Sequence, residues 1–298
     1  MISFVGFSFA LRMILYGEGG TGKSKVIQTI TALFRQKGVE HILQKTASTG
    51  IAASLIDGKM MHTLTVMSVQ KKGKMSSESR RRLEEMWGKK QYLIIDEYLM
   101  ISKSFLQKFA LKIKQARGHV DDNDWWGGLN VIMCGDFHQF PPVAIGRSEY
   151  LFNRVEGEEG ANCPKMIGQE IYEGFNIVVI LRQQKRVKDE RWLQFLRRLR
   201  RGEVNHDDIT MLRTLVLSRS SKEGMKDGSW NDMSMITPCH AVRTSWNEEA
   251  CREMCSLSGQ TLFICPAKDR LGDRELSKKE RYRVSLARPR MHREAART

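Results

Sequence analysis

Residues 17–24 read GEGGTGKS and satisfy the spacing G-x-x-x-x-G-K-[ST]. That pattern serves phosphate binding. Gly17, Gly19, Gly20 and Gly22 leave room for backbone N–H groups around Thr21 to turn toward β- and γ-phosphate oxygens at a helix N-terminus. Lys23 adds a point charge, and the Ser24 hydroxyl takes a position on Mg²⁺. A glycine turn of purely structural use is the alternative reading.

A phosphate loop needs an acidic strand end to hold the metal and align water, and LIIDE at 93–97 supplies one. Asp96 is expected to reach Mg²⁺ through water, and Glu97 to act as general base on the attacking water. Taken alone, such a run is equally a strand meeting solvent. GDFHQFPPV at 135–143 is a third candidate, in which Gln139 would sense the γ-phosphate opposite Glu97. His138 is read as incidental, and Phe140, Pro141 and Pro142 serve as well to shape a turn.

These loops need elements to hold them. LRMILY at 11–16 is a short apolar run that stops at Gly17, and Val26, Ile27, Ile30, Leu33 and Phe34 then recur at helical spacing. Residues 41–47, QYLIID at 91–96, LNVIMCGD at 129–136 and FNIVVIL at 175–181 read as further strands, suited to burial on both faces of a parallel sheet. Strands alternating with helical stretches predict a doubly wound α/β fold. Residues 68–90 and 116–128 read as insertions or loops. Over 189–201, Trp192, Phe195, Leu196 and Leu199 share a helical face, and Arg197, Arg198, Arg200 and Arg201 form a solvated basic face.

The 298 residues carry 49 Lys and Arg against 34 Asp and Glu, a formal charge of +15 that favours a polyanionic partner such as nucleic acid. A composition of 41% hydrophobic residues with 24 Gly and 6 Pro excludes collagen and low-complexity disorder. The apolar start, ISFVGFSFAL, lacks a basic n-region and is too short to span a bilayer, so no membrane association is expected. Six cysteines without a secretory signal suggest reduced intracellular thiols, and the spacing of Cys251, Cys255 and Cys265 fits no standard zinc finger.

GEGGTGKS, TASTGIAAS at 46–54, Met61-His62-Thr63, LIIDEYLMIS, GDFHQFPPV and LRQQKRVKDERWLQFLRRLRRG together resemble the PIF-type, or petite integration frequency, DNA helicases of superfamily one. The likeness runs from about residue 11 to about residue 250, with wording similar to the expanded fungal and Helitron-borne set. It implies a RecA-like P-loop NTPase core plus an incomplete second RecA-like core. The implied activity is ATP- and Mg²⁺-dependent 5′-to-3′ translocation on single-stranded DNA with unwinding at duplex junctions. Lys23, Ser24, Asp96, Glu97 and Gln139 match nucleotide-handling positions of the family, and Arg186 matches an arginine finger. The family's Arg-Gln at that place is Arg186-Val187 in this chain. Thr46, Ser48, Thr49, Gly50 and His62 fall in segments that touch the DNA strand in the family, although a TASTG loop is equally a helix cap.

The same resemblance places a small insertion over 68–90, whose KKGK and RRR are either DNA contacts or a solvated charge run. ITPCHAVRTSWNEEA at 236–250 resembles a strand and helix of the second core, with Arg243 and Asn247 in matching places. The expected domains are residues 1–175, the ATP-binding core; 176–265, a partial second core; and 266–298, a basic, weakly ordered tail with eleven Lys or Arg against five Asp or Glu. The adenine-recognising stretch and the late motifs of the second core have no counterpart, so the chain reads as truncated at both ends. A non-motor module that binds ATP and single-stranded DNA without unwinding is therefore the alternative. The resemblance suggests a nuclear location and roles in DNA repair, recombination and telomere maintenance, with no obligate protein partner evident.

Overall fold

The computed structural model describes residues 10–65, 77–118, 124–142, 146–154, 163–216, 233–265 and 268–286. The chain divides into two compact units, Met1–Thr214 and Leu215–Thr298.

The first unit is a three-layer α/β sandwich. Its strands are β1 (Arg12–Gly17), β2 (Leu43–Ala47), β3 (Lys59–Met60), β4 (Tyr92–Asp96), β5 (Asn130–Gly135) and β6 (Ile177–Leu181). They form one sheet in the order β3-β2-β4-β5-β1-β6, and every pairing is parallel. The connecting helices are α1 (Lys23–Gln36), α2 (Gly50–Leu55), α3 (Met61–Leu64), α4 (Ser77–Gly88), α5 (Lys103–Ala116) and α6 (Pro164–Glu173), followed by α7 (Glu190–Arg201) and α8 (His206–Thr214).

The alternation of side chains along a strand divides the core between the two faces. Leu93, Ile95, Val131 and Met133 pack with Trp87 of α4, Phe109 and Ile113 of α5 and Ile171 of α6. Ile94, Ile132, Leu15 and Leu43 pack with Ile27 of α1 on the other face. Both faces are therefore covered, as a parallel sheet requires, and the doubly wound expectation holds.

Several local expectations change. Ile177, Val178, Val179 and Ile180 are 38%, 55%, 40% and 50% exposed, so β6 is an edge strand rather than one buried on both faces. Because it pairs with β1, with Leu15 opposite Val179, it belongs to the first unit, as does α7. KKGK at 71–74 lies outside the described residues, but 77–88 is a helix rather than a loop. Leu83 and Trp87, one turn apart, enter the core, and the Trp87 indole N–H donates to the Leu64 carbonyl at 3.1 Å. Trp126 is likewise core, although 116–128 reads as polar in sequence. Arg80, Arg81 and Arg82 are on the solvent side, the last two in helix-spaced pairs with Glu85 and Glu78.

In the second unit, α9 (His240–Ser258) is a largely exposed helix, and residues 233–239 preceding it form no strand. Residues 268–286 contain a short antiparallel hairpin, β7 (Arg270–Leu271) with β8 (Arg274–Glu275), and α10 (Lys278–Leu286). Arg274 closes on Glu280 with a two-bond fork of 2.6 and 3.0 Å. All six cysteines are free thiols, and no helix of the described residues is long and apolar enough to cross a membrane.

Candidate active site

The parallel register brings the carboxyl ends of β1, β4 and β5 together. Tyr16 lies beside Gly135, and Asp96 beside Cys134. The loops that follow these strands line one cavity of about 350 Å³, walled by Gly19, Gly20, Gly22, Lys23, Ser24, Asp96, Glu97, Gln139, Lys185 and Arg186. The structure thus brings Lys23, Ser24, Asp96, Glu97, Gln139 and Arg186 into one space, from four separated stretches of chain. Gly17 and Thr21 do not line it, and the Thr21 hydroxyl donates to the Glu18 carbonyl at 2.8 Å.

The loop is shaped by two glycines with positive φ, Gly20 at +90° and Gly22 at +99°. Gly22 also serves as the left-handed N-cap of α1, so the first helical amides open toward the cavity. A Cβ on Gly20 would stand 2.1 Å from Gln184 Oε1 and 2.7 Å from Arg186 Cβ, so the chain after β6 approaches the loop closely. That approach is hydrogen-bonded. Gln184 Nε2 donates to the Gly19 carbonyl at 2.7 Å, the Lys185 amide donates to the Gly20 carbonyl at 2.9 Å, and the Arg186 amide donates to Gln184 Oε1 at 2.9 Å. Gln184 therefore ties the candidate arginine finger to the phosphate loop. Sequence reasoning passed over it because a glutamine carries no charge signal.

Lys23 is buried, and its ammonium donates to the Gly17 carbonyl at 2.5 Å and the Glu18 carbonyl at 3.2 Å. The opposing wall is acidic. Asp96 is buried at the end of β4, and burial, with the neighbouring Glu97 charge adding to it, pushes its carboxyl up to about 6. Glu97 is also raised by burial, with the Lys23 charge acting against that rise. Two partly desolvated carboxylates facing an ammonium suit a divalent cation: a metal charge would favour the ionised forms that burial disfavours. Glu97 adopts φ 51°, ψ 46°, a left-handed conformation uncommon outside glycine. The Ser48 hydroxyl donates to its carbonyl at 3.0 Å.

Asp136, next to β5, is 1% exposed and ion-paired with Arg200 of α7. Burial works against its ionisation, but hydrogen bonds from Arg200 and the His138 amide outweigh it and hold the carboxyl below the usual range. Sequence periodicity predicts Arg200 on a solvated face. It turns inward because a buried carboxylate needs a partner, and Arg198 similarly forks onto Asp208 at 2.6 and 2.8 Å. On α7 it is Leu193 and Phe195 that are buried, and Leu199 is 53% exposed. The acid of GDF, directly after an apolar strand, was the available sign that an arginine would be drawn in.

The polynucleotide candidates divide. Thr46 is fully buried, and its hydroxyl donates to the Lys59 carbonyl at 2.6 Å. Thr49 is the N-cap of α2, its hydroxyl accepting from the Ala52 amide at 3.2 Å, so the capping reading of TASTG is realised there. Gly50 and His62 are exposed, and the His62 ring lies 4.8 Å from that of Phe105. Ser48 and His62 line a second cavity of about 440 Å³ with Ser102, Ser104, Phe105 and Lys108.

A family model described as PIF1-like helicase matches residues 5–208. The chain is 27% identical over 215 residues to the ATP-dependent DNA helicase PIF1 of Xenopus laevis, covering 70% of this chain and 30% of that protein. It is 29% identical over 204 residues to the ATP-dependent DNA helicase RRM3 of Saccharomyces cerevisiae, covering 67% and 26%. Among solved structures it is similar in fold to Pif1 helicase from Candida albicans, with a TM-score of 0.61, 24% identity and coverage of 82% of this chain and 51% of that one. Bacteroides Pif1 bound to ssDNA gives a TM-score of 0.59 at 20% identity, covering 82% and 53%. The chain therefore spans less than a third of the length of these curated relatives and about half of the solved chains. With the family model matching more than half of its residues around an α/β core, this chain belongs to the PIF1-like helicase family.

Proposed function

We propose that this chain is the ATP-binding part of a DNA helicase, and that the cavity between the phosphate loop and the carboxyl end of β4 is where ATP is bound and hydrolysed. The observation that carries this reading is the convergence of Lys23, Ser24, Asp96, Glu97, Gln139 and Arg186 on one space. The amides of 19–24 and the Lys23 ammonium hold the triphosphate; Ser24 and Asp96 hold Mg²⁺. The metal, when bound, would supply neutralisation of phosphate charge. Glu97 takes the proton from the attacking water, Gln139 senses the γ-phosphate, and Arg186 offsets charge developing in the transition state.

For the polynucleotide we assign single-stranded DNA to the rim bearing Ser48, Thr49, Gly50 and His62. Thr46 supports that rim from within through its bond to Lys59. Support comes from the net charge of +15 and from the solved Bacteroides relative, which carries ssDNA. The finer reading is 5′-to-3′ translocation with unwinding at duplex junctions, serving repair, recombination and telomere maintenance in the nucleus. The test is ATP turnover measured beside strand displacement on a forked duplex. Lys23→Ala should abolish Mg²⁺-ATP binding, and Glu97→Gln should bind ATP but lose turnover. Unchanged turnover in Glu97→Gln would remove Glu97 from its role, and turnover without displacement would select the non-motor reading.

A further inference from the structure

Arg200 has more partners than a helix-ending arginine needs. One guanidinium nitrogen donates to Asp136 Oδ2 at 2.8 Å, and the other donates both to Asp136 Oδ1 and to the Tyr16 hydroxyl, the latter at 2.9 Å. Its Nε stands 3.7 Å from Glu18 Oε1. A single side chain on α7 thereby touches the carboxyl end of β1, the phosphate loop and the residue that follows β5.

What Asp136 does explains why that matters. Its Oδ1 accepts the His138 amide at 3.2 Å, its carbonyl accepts the Gln139 amide at 3.0 Å, and Gln139 Nε2 approaches Oδ2 at 3.5 Å. The carboxylate is therefore the hub of the turn that sets Gln139 on the cavity wall, within 3.7 Å of where a Cβ on Gly19 would lie. Glu18, the other acid Arg200 faces, lends its carbonyl to the Thr21 hydroxyl and the Lys23 ammonium.

We infer that Arg200 is a positioning residue for nucleotide sensing: by clamping Asp136 it fixes the turn carrying Gln139 against the phosphate loop, and so sets the preference for a nucleoside triphosphate over a diphosphate. The inference rests on the proposed reading that this cavity binds ATP. Arginine is suited to the role because its planar fork engages two carboxylate oxygens and a third partner at once, which a lysine ammonium does less well. Arg200 touches no space assigned to the nucleotide, so its effect passes through Asp136 and Gln139.

The experiment measures equilibrium binding of Mg²⁺-ATPγS and Mg²⁺-ADP to the full chain by calorimetry. Removing Arg200 alone would strand a buried carboxylate and endanger folding, so the primary variant is the charge-neutral pair Arg200→Gln/Asp136→Asn, checked by thermal melting. The pair should lose about tenfold in ATPγS affinity, the scale of one hydrogen bond to a charged group, and less than about twofold in ADP affinity. Arg200→Lys, which keeps the charge, should fall between the pair and the natural chain. Adding Gln139→Ala to the pair should cost nothing beyond Gln139→Ala itself, because all three changes act on one contact. Retention of full triphosphate preference by the pair would overturn the inference, as would additive losses in the triple variant or parallel losses for both nucleotides. Failure of the natural chain to bind either nucleotide would instead overturn the ATP reading, and this inference with it.

Discussion

Asp96→Asn should stabilise the metal-free protein at high pH, although Asp96 is assigned to the metal. The carboxyl is 6% exposed, and burial together with the Glu97 charge moves it from 3.8 to about 6. That rise corresponds to roughly 3 kcal/mol against the ionised form. Because the folded-state value is the higher one, the associated stability is fully present below about pH 4 and is lost as pH rises through 6. Asparagine is never ionised and keeps an oxygen for the Glu97 amide, which Asp96 Oδ1 accepts at 3.0 Å. Its buried NH₂ group offsets about 1 kcal/mol, leaving a net gain of about 2 kcal/mol at pH 8 that shrinks to nothing or reverses near pH 4. Urea unfolding without Mg²⁺, followed by the fluorescence of buried Trp87 and Trp126, reads this directly. Mg²⁺-ATP should then raise the midpoint of the natural chain more than that of the variant, reversing the order at saturating ligand. A variant equal to or less stable than the natural chain at pH 8, or a difference independent of pH, would refute the argument.

Gly20→Ala forces a Cβ into Gln184 and Arg186 at φ +90°, so nucleotide affinity should fall by more than about tenfold. Gly22→Ala, at φ +99° with open space around it, should instead cost about 1–2 kcal/mol of stability, and titration with a fluorescent ATP analogue beside urea melts separates the two. Leu83→Ala on α4, at 2% exposure in the core, should destabilise by about 2–4 kcal/mol in urea unfolding, whereas Arg81→Ala on the same helix should change stability by less than about 0.5 kcal/mol. Binding of single-stranded DNA, measured by fluorescence anisotropy from low to physiological salt, should weaken with a steep log–log slope of about −0.7 per phosphate neutralised, and a flat response would contradict phosphate-dominated contact.

The strands and the phosphate loop were legible because their signals are local. An apolar run ending in Gly17, or in Asp96-Glu97, carries both the element and the residues of the proposed site in adjacent positions. What sequence could not supply was the set of non-local partners. The basic run 197–201 looks uniform, yet Arg198 closes on Asp208 and Arg200 on Asp136, while Arg201 stays 68% exposed. The distinction depends on which turn of α7 faces the sheet, and periodicity alone put Leu199 rather than Leu193 on the buried side. In the same way, Leu83 and Trp87 were obscured by the charges around them, because a helix needs only two well-spaced apolar residues to be held when α5 lies alongside.

The site is legible in pieces because a parallel sheet sorts loops by strand polarity. Leu181 lies opposite Gly17, Gly135 opposite Tyr16, Cys134 opposite Asp96, and Asp96 opposite Ala47, so five strands end along one rim. Every loop that leaves that rim is brought near the others whatever its place in the chain. Loops leaving the opposite ends are excluded just as firmly. Glu97 shows the consequence at one residue. A left-handed backbone costs a non-glycine residue on the order of 1–3 kcal/mol and persists only where its surroundings enforce it. Here the enforcing groups are the Asp96 carboxylate, which holds the Glu97 amide, and the Ser48 hydroxyl, which holds its carbonyl from a loop 49 residues away in sequence. The cavity lined by Glu97 and the cavity lined by Ser48 are thus linked across neighbouring strand ends by the Ser48–Glu97 hydrogen bond.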